Sequence, residues 1–309
     1  MHLRIASTLV VLSLLIPPVA DAQAWTKGKG EGYVKLAYGS STASEQFSFD
    51  GTSKPYADNV TENAFFDRSL YLYGEYGLQS DLTLVAGLPY KRVIIRDAAF
   101  RYRTYGFGDL QIGARYDLRE HVGFDESPNA LALNGAISVP LGYTRNFTPS
   151  TGSGQMNVDL GVSYGRSLHP FPGYLQAGLG YRYRSSLFLG SSAVDCNEGI
   201  DRNCFADAQP VFGDELLGSL EAGVTIADRV FLQGLVSSVW SLQAPETGFT
   251  VTNPVPTRQR YVKAGFGSAV FLPFGFSVNL QGLTTLTGRN SVRSLDLFFG
   301  IDYRFGGGE

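Results

Sequence analysis

The chain has 309 residues, of which 44% are hydrophobic, 13% aromatic and only 17% charged, with a formal net charge of −3. That apolar and aromatic content excludes a disordered chain, and mild acidity with scattered basic residues excludes nucleic acid, which wants a basic patch. Past the first twenty or so residues no apolar run reaches the ~18 residues of a membrane helix, so a helical membrane protein is excluded too.

Met1 to Arg4 carry one positive side chain, Ile5 to Ile16 form an apolar stretch, Pro17-Pro18 break it, and Ala20-Asp21-Ala22 place small residues at the recognition positions. The pattern predicts a signal peptide, residues 1–22, cleaved before Gln23, with Trp25 as the second choice. Residues 23–309 are expected to form one barrel domain.

Period-two alternation then recurs in twelve segments, at 30–40, 64–77, 82–97, 106–117, 129–140, 155–167, 173–185, 214–226, 230–240, 258–272, 276–287 and 293–305. Leu82, Leu84, Ala86, Leu88 and Tyr90, for example, alternate with Thr83, Val85, Gly87, Pro89 and Lys91. Segments of about 10–15 residues exceed the ~5–6 of an ordinary strand and suit the ~9–11 of a tilted membrane crossing. The links 78–81, 118–128, 168–172, 227–229 and 273–275 are short. Those at 41–63, 98–105, 141–154, 186–213 and 241–257 are longer, with a modest one at 288–292. Loop length sorted by parity is the mark of a transmembrane meander, short turns on the periplasmic side and long loops outside. The expected fold is therefore all-β: a twelve-stranded, up-and-down, antiparallel transmembrane β-barrel.

Tyr76, Tyr90, Tyr116, Tyr164, Tyr183, Trp240, Tyr303 and Phe305 fall near strand ends on the apolar face, where amphipathic rings sit at headgroup level. The opposite face is expected to be small and polar. Its candidates for the lumen are Lys35, Glu75, Gln111, Arg115, Asn134, Asp159, Gln176, Arg182, Arg184, Glu221, Lys263, Asp296 and Arg304. Two readings stand side by side: a salt-bridged network that plugs the barrel, or a wet pathway through it.

Catalytic chemistry finds little footing. His2 lies in the predicted signal peptide, and His121 and His169 in predicted periplasmic turns, so no base stands beside a nucleophile. The many G-x-G patterns are strand glycines with no helix after them, not dinucleotide loops. No cofactor and no metal is expected, and the acidic stretch around Asp195 and Asp201 reads as a solvated loop. Cys196 and Cys204 lie close together in the 186–213 loop, and in an oxidising compartment they should pair as a disulfide.

Three stretches carry a resemblance. Ala24-Trp25-Thr26-Lys27-Gly28-Lys29-Gly30-Glu31-Gly32-Tyr33 resembles the opening of the MetA-pathway-of-phenol-degradation transporter family of outer-membrane proteins. Gly106-Phe107-Gly108-Asp109-Leu110 with Gly113-Ala114-Arg115-Tyr116 resembles a strand of that family, and Leu72 to Leu78 with Asp81 to Leu84 and Leu88-Pro89-Tyr90 its second hairpin. The resemblance covers residues 24–116 by motif. It implies an outer-membrane barrel that passes aromatic or other small hydrophobic solutes, with outer-membrane lipids and the barrel-assembly machinery as its partners. One departure is the tail: Phe305 is followed by Gly306-Gly307-Gly308-Glu309, whereas such chains commonly end on an aromatic residue. The expected function is a passive channel rather than an enzyme. The alternative is a structural or surface-interaction barrel with a plugged lumen, acting through its outer loops.

Overall fold

The computed structural model describes residues 24–57, 60, 62–96, 98, 100–123, 128–197, 203–205, 210, 212–245 and 257–306. The predicted signal peptide and residues 307–309 of the tail lie outside them.

Strands β1 (Gly32–Phe47), β3 (Phe65–Gly77), β4 (Leu82–Arg96), β5 (Arg101–Phe107), β6 (Asp109–Asp117), β7 (Asn129–Pro140) and β8 (Asn157–Ser167) build the first part of the wall. Strands β9 (Gly173–Arg184), β10 (Glu215–Ile226), β11 (Val230–Ser241), β12 (Arg260–Phe271), β13 (Phe276–Arg289) and β14 (Ser291–Phe305) complete it. Apart from β5, each pairs antiparallel with the next along the wall, and β14 returns to β1 with Gly32 opposite Phe305 and Phe47 opposite Ser291, so the sheet closes. β5 and β6 share one wall position beside β4, and the three-residue β2 (Ser53–Pro55) pairs only with the outer end of β1. The wall is a closed barrel of twelve strands, as the alternation predicts. Closure is what a sheet in lipid must achieve, since no open edge can be satisfied there.

Both described ends, Ala24 and Gly306, lie at one rim, here the inner rim, with the turns at 78–81, 118–128, 168–172, 227–229 and 272–275. A single helical turn, α1 (Arg119–Val122), sits in the second of these. The outer rim carries the connections at 48–64, 97–100, 141–156, 185–214 and 242–259. Three of the outer links are shorter than expected: β1 runs on to Phe47, inside the expected 41–63 loop. β5 starts at Arg101, inside the expected 98–105 loop, and the 288–292 loop shrinks to Asn290 alone. There the β13–β14 ribbon simply continues upward beside a β1 that runs on to Phe47, and Asn290 turns it in the left-handed region (φ 50°) that asparagine tolerates well.

Outward side chains form the apolar belt: Leu36, Leu72, Ile112, Leu160, Leu179, Leu220, Phe266 and Leu280 are all more than half exposed. A register slip of one residue would exchange this face for the polar one on a whole strand, so the pattern holds the register. Between Ala177, Ala222, Gly234, Ala264 and Gly282 the belt sinks into a shallow apolar depression bordered by Leu220 and Phe266. It is part of the lipid-facing surface.

The interior departs from the small, polar lining expected. Ala37, Tyr71, Leu235, Leu283 and Phe298 form a buried apolar cluster on the inner face of β1, β3, β11, β13 and β14, with the Tyr71 and Phe298 rings edge-on at 5.9 Å. A second cluster at the outer rim joins Ala43, Phe65, Val93, Ile95 and Val292 from the wall to Tyr56, Ala57, Ala64 and Phe212 from the loops. A lumen narrow enough for side chains from opposite walls to meet can bury apolar groups, and the alternation of a strand does not reveal that.

The lumen as candidate functional site

A belt of ion pairs rings the outer half of the lumen. Asp159 on β8 accepts both Nε and Nη2 of Arg182 on β9, at 2.7 and 2.8 Å. Glu215, at the start of β10, takes Nη2 of Arg184 at 2.7 Å and lies 3.4 Å from Nη1 of Arg182. The Arg184 guanidinium also covers the Phe212 ring at 5.1 Å, while its Nε and Nη1 find no hydrogen-bond partner among the described residues. Across the barrel, Lys263 on β12 meets Asp296 on β14 at 2.6 Å, and Ser41 donates to the same carboxylate at 2.5 Å. Lys91 and Asp67, both buried, pair at 3.2 Å between β4 and β3. Charges this deep need partners, because desolvation of an unpaired one is prohibitive.

Below this belt the two walls differ. Leu283 and Phe298 line one side, Phe298 packed against Tyr71. Gln111, Asn134, Ser163 and Ser219 line the other, with Asn134 Nδ2 donating to Ser163 Oγ at 3.0 Å. Between them, reaching up to Arg182, Tyr261 and Lys263, lies a cavity of about 320 Å3. A second cavity of about 210 Å3 opens toward the inner rim, bordered by Lys35, Tyr174, Gln233, Gln281, Asp302 and Arg304.

The N-terminal segment enters the lumen from the inner rim. Ala24 is 1% exposed and its N–H donates to Gln176 Oε1 at 3.1 Å. The Trp25 carbonyl accepts Nη1 of Arg115 at 2.8 Å, and the Trp25 ring stands edge-on to Tyr174 at 5.5 Å. Lys27 N–H donates to Thr83 at 2.7 Å, and its ammonium lies 3.4 Å from Glu75. Gly165 of β8 makes room: a Cβ there would sit 2.3 Å from the Trp25 ring. The segment thus touches the inner faces of β3, β4, β6, β8 and β9.

The side chains proposed from the sequence for the lumen all stand on the inner face, but in separate groups. Glu75 and Arg115 pair at 3.1 Å under the N-terminal segment, Arg115 reaching Asn134 as well, and Gln176 holds Ala24. Gln111, Asp159, Arg182, Lys263 and Asp296 border the larger cavity, while Arg184 lies above it against Phe212. Lys35 and Arg304 border the smaller one, Arg304 with its guanidinium 5.1 Å from the Phe271 ring. Glu221 accepts the Tyr174 hydroxyl. His121 packs 5.8 Å from Tyr116 on α1 and His169 is exposed in a turn, both at the inner rim.

Reading by alternation overlooked Glu215, Asp67 and Lys91, although the same parity marks them: Glu215 is on the face of Glu221, and Asp67 on that of Glu75. It also overlooked Lys27 and Trp25, which lie before the first strand, where parity has no meaning.

The outer loops are pinned by polar groups. Cys196 and Cys204 are joined, their Cα atoms 5.6 Å apart, and buried Asn146 from the 141–156 loop donates to the Val194 carbonyl at 2.7 Å beside both sulfurs. Tyr143 donates to Asp109, whose other oxygen takes Ser153 N–H at 3.1 Å. Burial, reinforced by the Asp109 charge, pushes the Tyr143 hydroxyl well above the usual tyrosine range.

No family model matches the chain. No curated protein sequence matches it either. Among solved structures it is similar to an outer-membrane channel from Pseudomonas putida F1, with 16% identity, a TM-score of 0.71, and coverage of 93% of this chain and all of that one. It is also similar to the translocator domain of the autotransporter NalP from Neisseria meningitidis, with 13% identity, a TM-score of 0.53 and coverage of 90% of each chain. At these identities the likeness shows the architecture that the sequence pattern and the resemblance implied, a closed twelve-stranded barrel of the outer-membrane kind.

Proposed function

We propose that the protein is a passive outer-membrane channel for small hydrophobic or aromatic molecules, its outer rim facing the medium and its inner rim the periplasm. The observation that carries this reading is the cavity of about 320 Å3 between an apolar wall at Leu283 and Phe298 and a polar wall at Gln111, Asn134 and Ser163. Such a space offers a ring a face to pack on and a hydroxyl or carboxyl group a partner, the usual division of labour in small-molecule sites. The lumen residues Gln111, Asp159, Arg182, Lys263 and Asp296 line the path, and the Arg115–Glu75 pair holds the N-terminal segment that narrows its inner end. The P. putida protein of the same architecture is described as an outer-membrane channel, which supports the assignment.

The plugged-barrel alternative draws on one specific observation, the pairing of lumen charges by Asp159, Glu215, Asp67 and Asp296. Solute uptake into liposomes separates the two. A channel admits phenol-sized aromatics faster than hexoses, and Ser237→Trp, which fills the cavity, slows them. Equal leakage for both solutes, or none above protein-free liposomes, would sink the channel reading.

A further inference from the structure

The outside of the barrel carries a charged feature that lumen transport does not use. Arg68 on β3 and Arg92 on β4 are directly opposite one another and both exposed. On the next strand, Arg103 faces Ile94, one step diagonally from Arg92, and Arg101 faces Arg96. Directly opposed residues have Cβ atoms about 4.5–5.5 Å apart and diagonal ones about 7–8 Å. Four guanidinium groups therefore crowd one patch. The side chains of Arg68, Arg92, Arg101 and Arg103 make no ion pair or hydrogen bond among the described residues. Like charges facing each other across a strand pair are destabilising unless something anionic lies between them.

Three other outward arginines of the outer rim are satisfied within the chain. Arg293 pairs with Glu45 at 2.5 Å, Arg96 with Glu62 at 2.7 Å, and Arg260 donates to the Ser241 carbonyl while covering the Trp240 ring at 4.5 Å. The β3–β5 patch gathers four arginines with no such partner among the described residues. Its height is also telling. The row below it is Leu70, Tyr90 and Phe107, with the Tyr90 and Phe107 rings 5.3 Å apart, and beneath that the belt continues through Leu72 and Leu84. The arginines begin one outward position above this row, at the level where acyl chains give way to headgroups.

We propose that Arg68, Arg92, Arg101 and Arg103 form a docking site for the phosphate groups of a phosphorylated lipid in the leaflet around the outer rim. The lipid's acyl chains lie along the belt below, and its phosphates sit between the guanidinium groups, which bind them bidentately. A lipid is the occupant because the patch faces away from the lumen and continues the apolar belt without a break. The assignment rests on the reading of the barrel as a membrane-spanning channel with its outer rim toward that leaflet.

Native mass spectrometry of the detergent-solubilised barrel, titrated with bis-phosphorylated lipid A, tests it. Each arginine near an anionic surface contributes roughly fivefold in affinity, so the R68Q/R92Q/R101Q/R103Q variant should bind on the order of several hundredfold more weakly. Arg293→Gln, on the same rim but already paired, should bind like the parent protein. Dephosphorylated lipid A should bind the parent as poorly as the intact lipid binds the quadruple variant, and inorganic phosphate alone should not compete at equal concentration. Undiminished lipid binding by the quadruple variant overturns the site. So does equal binding of the dephosphorylated lipid, or competition by inorganic phosphate. Solute uptake by the same variant keeps the two readings apart. Lost lipid binding with normal uptake bears on this patch alone, whereas a parent protein that binds lipid but passes no solute rejects the channel and leaves the patch standing.

Discussion

Glu215→Gln is the sharpest probe of the lumen. The Glu215 side chain is 2% exposed and that of Arg184 4%, so the pair is screened little by bulk water. Among the described residues the Arg184 guanidinium lacks partners for Nε and Nη1, and Glu215 is the only carboxylate paired with it. Removing that charge leaves a buried guanidinium held by little more than the Phe212 ring. Breaking such a pair costs about 3–5 kcal/mol. Arg182 adds little to the loss, because Asp159 keeps both of its hydrogen bonds. The second half of a double-mutant cycle, Arg184→Met in the Glu215→Gln background, should recover most of the stability, since replacing both members of a buried pair is often close to neutral. Urea titration of the barrel folded into lipid vesicles, followed by the emission of Trp25 and Trp240, measures each step. If Glu215→Gln costs under about 1 kcal/mol, as expected for the half-exposed Arg293–Glu45 pair, the lumen there is wet and the reasoning fails.

Three further outcomes are expected. Trp25→Ala together with Lys27→Ala should loosen the N-terminal segment and raise single-channel conductance in planar bilayers, because its anchors on Tyr174 and Glu75 are gone; unchanged conductance would show that the segment does not narrow the path. Reducing the Cys196–Cys204 bond should release about 2–3 kcal/mol of loop-closure restraint, seen as faster proteolysis of the 185–214 connection with the strands still protected, and equal cleavage rates would refute it. Leu179→Arg, on the lipid-facing side of β9, should destabilise the barrel by ~2–4 kcal/mol in the same vesicle titration, and a neutral result would mean that β9 does not cross the bilayer in this register.

Alternation made the wall legible because each strand of a barrel has one face in lipid and one in the lumen, and Leu175, Leu179 and Tyr183 against Gln176, Arg182 and Arg184 can be sorted from β9 alone. The choice of ionic partners was not legible. Arg184 meets Glu215 rather than Glu221 because the β9–β10 register sets Glu215 opposite Arg182, and register follows from loops and pairing, not from either strand alone. The inward aromatic layer stayed hidden for a related reason. Tyr71 and Phe298 are apolar on a face otherwise polar, and only their meeting across the intervening β1 removes both from water. The N-terminal segment has no period to read, and its place in the lumen comes from scattered donors and acceptors on four strands.

The seam of the wall has a bearing on how the chain reaches this state. β1 pairs with β14 along nearly its whole length, so the hydrogen bonds that close the cylinder join residues about as far apart in sequence as the chain permits. Folding rates fall steeply as such distant pairings come to dominate. A chain emerging from its N-terminus holds β1 as an unpaired edge until the last strand arrives, and each intermediate is an open sheet with two sticky borders. A truncation that removes β14 would do more than shorten the wall: it would leave Val34, Leu36 and Tyr38 on a permanently open border, ready to pair with β1 of another copy. Such a fragment is expected to accumulate as aggregates rather than as an eleven-stranded barrel.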